Sequence, residues 1–198
     1  RLRLVLGHLP DETLMRRLEA DRGQGRDDYP VRAVWNSILA GIVFQHPSAE
    51  SLRRELQRNP SLRQACGFDP LKGMDAVPSP RAYTHFLQLL LAHADLVDAI
   101  FDDLVERLRT ELPGFGRILA IDGKALWTHA RPRRKDAPLP PADGRRDIDA
   151  DFGRKTKHGK RDDGTAWEKI TKWFGYRVHL VVDAEYELPV AYEVTKAS

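Results

Sequence analysis

The chain has 198 residues, 41% hydrophobic and 31% charged, with a formal net charge of +3. That length suits one large domain or two small ones with a real core, and no stretch approaches the ~20 apolar residues of a membrane span. The single cysteine, Cys66, excludes a disulfide framework and a thiolate zinc site, and it suits an intracellular protein.

Up to about Leu112 the chain reads as five or six helices. Asp11 is placed to cap "DETLMRRLEA", and Pro30 opens a helix whose apolar face is Val31, Val34, Trp35, Ile38, Leu39, Ile42 and Val43. Asn59-Pro60 and Ser79-Pro80 each supply a cap followed by proline at the first helical position. Gly67 is a stop after "RQAC", with Cys66 buried at that helix end. Leu96, Val97, Ile100, Phe101, Leu104, Val105 and Leu108 form one more apolar face.

"ELPGFG", residues 111–116, breaks the helical rhythm, and "RILAIDGK" then reads as a strand with a carboxylate, Asp122, set into it. Asp is depleted in strands because its charge is costly to desolvate. Residues 130–165 read as a long basic connection rich in proline and glycine. Between 131 and 161 stand eleven Lys or Arg against five Asp, a local net of +6, which leaves −3 for the remainder. So few apolar groups cannot offset the entropy of ordering, so the segment is expected to be irregular when free and to order against a polyanion. From Trp173 the chain alternates again through Tyr176, Val178, Leu180 and Val182, and once more through Val190, Tyr192 and Val194. Segments 117–123, 176–183 and 189–195 are therefore expected to be neighbouring antiparallel strands, 176–183 in the centre.

Several local matches fail. "GRKTKHGKR" lacks the spacing and the Ser/Thr of a phosphate loop, Asp151-Phe152-Gly153 lacks the other kinase motifs, and Asp149 and Asp151 do not continue into a calcium loop. The seven histidines show no close metal-ligand spacing.

Four segments in order carry a resemblance. "YPVRAVWNSILAGIVFQHPSAESLRRELQRNPSLRQACGF" (29–68) resembles the N-terminal helical domain of bacterial insertion-sequence transposases. "VPSPRAYTHF" (77–86) resembles the start of that family's next helix, "AIDGK" the first strand of its DDE catalytic domain, and "KWFGYRVHLVVDAEYELPVAYEVTKAS" (172–198) its second and third strands. The resemblance implies an α+β chain: a helical domain over 1–112 that binds DNA ends or dimerises, then over 117–198 the first three antiparallel strands of a ribonuclease-H-like fold, with a basic insertion at about 130–165. It implies a DNA transposase that cleaves and joins strands with two Mg²⁺ (or Mn²⁺) ions, in the bacterial cytoplasm on the nucleoid, as a homodimer on transposon ends and target DNA, with no membrane partner.

By the same resemblance Asp122 is the first of three metal-holding carboxylates, the other Asp and the Glu being expected beyond Ser198. Taken alone, Asp122 is better read as a strand-end carboxylate paired to a lysine or turning the chain at Gly123, and it is the resemblance that favours the metal. Hard oxygen ligands suit Mg²⁺, and an ion pair can clamp both oxygens of a phosphodiester displacement. Antiparallel pairing is expected to set Asp183 more than ~20 Å from Asp122, as a hairpin-shaping residue, and to bring Lys124, Lys172, Arg177 and Lys196 toward Asp122. Arg131, Arg133, Arg134, Arg145, Arg146, Lys155, Lys157 and Lys160 are further DNA-contact candidates. Trp127, Trp167 and Trp173 are candidates to stack on an unpaired base. The alternatives are a catalytically inactive transposase-derived binder or regulator, and a ribonuclease-H-like metal nuclease that does not join strands.

Overall fold

The computed structural model describes residues 1–22, 29–132, 147 and 149–198. They form a mixed α+β chain that divides into two compact units, Arg1–Arg107 and Leu108–Ser198. No helix among the described residues is long and apolar enough to cross a membrane.

The first unit is helical: α1 (Leu2–His8), α2 (Glu12–Arg22), α3 (Val31–Val43), α4 (Ala49–Arg58), α5 (Pro60–Cys66), a 3₁₀ segment (Pro70–Ala76), α6 (Pro80–Leu91) and most of α7 (Ala94–Glu111). Its core joins Leu14, Met15 and Leu18 to Val34, Trp35 and Leu39, with Leu52, Leu56, Leu62, Tyr83 and Phe86 closing around them. Helix ends follow the local chemistry. Ser48, Asn59 and Ser79 each accept the backbone N–H of the residue three further on, a cap that contributes about 1 kcal/mol. Gly67 ends α5 at φ 95°, the left-handed geometry that glycine adopts without a Cβ clash. The buried Arg63 donates from Nη1 to the carbonyls of Leu56 and Gln57, which the end of α4 leaves without helical partners. Asp11 departs from its expected part: its carboxylate accepts from Trp35 Nε1 at 2.6 Å and Arg32 Nη1 at 2.5 Å, tying the start of α2 to α3.

The second unit carries one antiparallel sheet of β1 (Leu119–Trp127), β2 (Asp151–Lys160), β3 (Ala166–Asp183) and β4 (Pro189–Lys196). β3 is the spine. Its C-terminal half pairs with β1 on one edge and β4 on the other, Val178 facing both Lys124 and Val194. Gly175 faces both Trp127 and Asp151, and from Phe174 back to Ala166 the N-terminal half pairs with β2 alone. Gly175 marks the change. Its φ is +149°, and a Cβ there would stand 2.1 Å from the Leu126 carbonyl oxygen, so only glycine fits where β1 passes.

The central placement of 176–183 is as expected, but β2 and the first half of β3 were not. The basic insertion is not irregular throughout: 151–160 is a regular strand, while 133–146 and 148 lie outside the described residues. Order there comes from pairing with 166–175 rather than from a nucleic acid. Two rungs set tryptophan across glycine, Gly153↔Trp173 and Gly159↔Trp167, and each indole covers the bare backbone opposite. A Cβ at either glycine would come within 2.4 Å or 2.5 Å of the ring.

Candidate nucleic-acid interface

Asp122 is the fourth residue of β1, facing Leu180 of β3. It is exposed, and the N–H of Gly123 donates to its Oδ1 at 2.8 Å. With Lys124, Arg154, Lys155, Lys157, Arg177 and His179 it lines a hollow of about 730 Å³ between β1 and the β2–β3 ribbon, floored in part by Trp173 and Thr171. Alternation sets Asp122, Lys124 and Arg154 on one face of the sheet and Lys155, Lys157, Arg177 and His179 on the other, so cations of both faces border the hollow. Summed cationic charge on a concave surface raises the local concentration of a polyanion.

The hollow gathers some of the expected residues and not others. Lys124, Lys155, Lys157 and Arg177 line it with Asp122. Lys172 lies along the ribbon opposite Arg154 and does not line it. Lys196 faces Tyr176, and its Nζ is 3.2 Å from Asp149 Oδ1, so its nearest carboxylate is Asp149 rather than Asp122. Arg131 is exposed just after β1, and Lys160 ends β2. Arg133, Arg134, Arg145 and Arg146 lie outside the described residues.

Of the three tryptophans expected as stacking platforms, Trp173 is closed to a base. Trp173 is 3% exposed, donates from Nε1 to the Tyr176 carbonyl at 2.9 Å and carries the Arg177 guanidinium 5.4 Å above its ring. It has no open face for a base. Trp167 lies across Gly159. Trp127 alone of the three stays widely exposed.

Asp183 is also nearer to Asp122 than expected. It faces Leu119, three residues from Asp122, so the offset along the strand is about 10 Å rather than more than 20 Å. What divides them is the sheet: alternation puts Leu119 and Asp183 on one face and Asp122 on the other. Asp183 is 1% exposed and shapes the turn into β4, accepting the N–H groups of Tyr186 (2.8 Å), Glu185 (2.9 Å) and Gly116 (2.7 Å). The Tyr186 N–H, joined by those of Gly116 and Glu185, holds the carboxyl below the usual range against the opposing effect of burial.

Sequence reasoning missed Arg154, His179 and Asp147. His179 shares a face with Arg177 two residues before it, which the alternation of "YRVHLVV" displays. Asp147 had no local signal. It joins three segments, accepting from the Tyr176 hydroxyl at 2.5 Å, the Thr128 hydroxyl at 3.0 Å and the Ala150 N–H at 3.1 Å. Burial acts to raise its pKa, but those donors outweigh it and hold the carboxyl below the usual range. Tyr176 is pushed up to about 12, by burial first and then by Asp147.

Among the described residues no group of three or more His, Cys, Asp or Glu side chains is placed to hold a metal ion. Residues 1–89 match a family model described as a transposase domain (DUF772), which covers most of the helical unit and none of the sheet. No curated protein and no solved structure matches the chain.

Proposed function

We propose that this chain acts in DNA transposition, as an insertion-sequence transposase of the DDE class. The observation that carries the reading is the transposase-domain match over residues 1–89; the sheet that follows it supports the reading by exposing a carboxylate on its first strand beside a cationic hollow. In this reading the sheet is the opening of a ribonuclease-H-like catalytic domain, and the helical unit binds transposon ends or a second copy of the protein. Lys124, Lys155, Lys157 and Arg177 hold phosphates near Asp122, with Arg131, Lys172 and Lys196 as outlying contacts. The protein works on the bacterial nucleoid, as a homodimer on DNA.

The described residues do not by themselves fit a pair of divalent ions. Mg²⁺ takes about six oxygen ligands in near-octahedral geometry, and Asp122 is one carboxylate in a cationic setting with no further acidic group lining the hollow among the described residues. Its proposed part is that of a single charged ligand, held in position by the ladder to β3.

The test is cleavage of a labelled transposon-end duplex in Mg²⁺ or Mn²⁺, beside a binding titration at fixed salt. Asp122→Asn keeps the side-chain volume and removes the charge. Cleavage is expected to fall by orders of magnitude while end binding survives. Near-normal cleavage by the variant would remove Asp122 from the chemistry.

A further inference from the structure

The β2–β3 ribbon holds charge that works against its own pairing. Of its ten rungs, two set cation directly against cation: Lys157 faces Lys169, and Arg154 faces Lys172. Like charges opposite one another destabilise an antiparallel ladder. Among the described residues Lys155, Lys157, Lys169 and Lys172 form no ion pair, and the nearest carboxylate to Arg154 is Glu168 at 3.9 Å. Since 154 and 157 differ by an odd number, alternation puts the two like-charge rungs on opposite faces of the ribbon.

The shape is preformed. Indole rings lie across Gly153 and Gly159, so the ribbon is held without a ligand. Phe152 and Phe174 lean on each other, ring centroids 5.0 Å apart, with Phe152 still exposed. A single strand offers one line of phosphates, and an anionic membrane favours one cationic face around an apolar one. A ribbon with cations on both faces fits a partner that has negative charge on both sides of a slot.

We propose that the β2–β3 ribbon is an arm that enters the major groove of duplex DNA, the Lys157–Lys169 rung meeting the phosphates of one strand and the Arg154–Lys172 rung those of the other. This rests on the DNA reading above and specifies its mode. A two-stranded ribbon fits a groove ~12 Å wide. Ten residues of β2 span about 33 Å at ~3.3 Å each, close to the ~34 Å of one duplex turn.

The experiment titrates the 198-residue chain with a labelled duplex across a salt series, then with the corresponding single strand and with phosphatidylserine vesicles. The two double variants, Lys157→Ala with Lys169→Ala and Arg154→Ala with Lys172→Ala, are measured in parallel. Each is expected to flatten the slope of log K against log salt by about 1.8, from ~0.9 for each phosphate no longer neutralised, and the four substitutions together by about twice that. Thermal unfolding should be unchanged or raised, because a repulsive rung has been removed, so weaker binding cannot be put down to a failure to fold. Methylation of guanine N7, which lies in the major groove, should interfere with binding.

Duplex binding with unchanged slopes in both double variants would overturn the arm and leave the DNA reading intact. Insensitivity to N7 methylation, or tighter binding to the single strand or to vesicles, also overturns it. Failure of the unsubstituted chain to bind duplex at low salt removes the DNA reading itself.

Discussion

Gly153→Ala sets a methyl group where the indole of Trp173 already lies. The added Cβ would stand 2.4 Å from Cε2 and Cζ2, against 3.4 Å for ordinary contact, so ring or strand must give by 1.0 Å. Trp173 has little freedom to do so: it is buried, its Nε1 is bonded to the Tyr176 carbonyl, and Arg177 covers its ring. Overpacking of this kind costs about 1–3 kcal/mol, while replacing glycine returns about 0.4–1 kcal/mol through the unfolded chain. The net expectation is a loss of about 1–2 kcal/mol in ribbon stability. Gly159→Ala is the internal comparison. Its Cβ meets Trp167 at a similar 2.5 Å, but Trp167 is only half-buried near the ribbon's tip and can swing into solvent. That variant is expected to be close to neutral. Hydrogen exchange over 151–175 reads both changes locally. Equal effects at the two glycines, or a neutral Gly153→Ala, would refute the claim that Trp173 is anchored and Trp167 is not.

Two further expectations concern groups away from the ribbon. Asp183 has a lowered pKa in the folded chain, so its contribution is present above its unfolded value near 3.8 and is lost as pH falls through the lower folded value. Unfolding of the sheet followed down the acid range should show that loss, and Asp183→Asn should be less stable at neutral pH and insensitive to pH in the same window; an identical acid profile for the two proteins would contradict it. Burial pushes the Cys66 thiol up to about 11, so a thiol-specific reagent at mildly alkaline pH should label it only as the helical unit unfolds. Rapid labelling of the folded chain would place Cys66 nearer solvent than the core position it holds.

The helical half was legible because its signals are local. A cap at Asn59 or Ser79, a proline one residue on and a stop at Gly67 each act within one turn, and the apolar face of α3 repeats within thirteen residues. β4 and the later half of β3 were readable because apolar and polar residues alternate there. β2 was not. "DFGRKTKHGK" has almost no apolar alternation, and its order depends on Trp167 and Trp173, which come after it in the chain and are recognisable as glycine covers only once the register is known. At the hollow, Asp122 and its lysines were visible as residue types, while the clasp at Asp147 depends on Thr128 and Tyr176, distant in sequence. Asp11 shows the converse failure: a residue placed like a cap commits its carboxylate to a neighbouring helix.

Gly175 divides β3 into a part that is fenced in by two strands and a part that has only β2 for company. Changes in length beyond that point disturb no other strand, so the arm can be lengthened or shortened without re-registering the rest of the sheet. Parity limits how. Removing matched residues two at a time from each strand keeps every remaining side chain on its own face, whereas a one-residue change in β2 would move Lys155 and Lys157 across to the other face and take Gly153 and Gly159 out from under their tryptophans. Viable variants of the arm should therefore differ in steps of two residues per strand, and a single-residue deletion should be more damaging than a longer, even one.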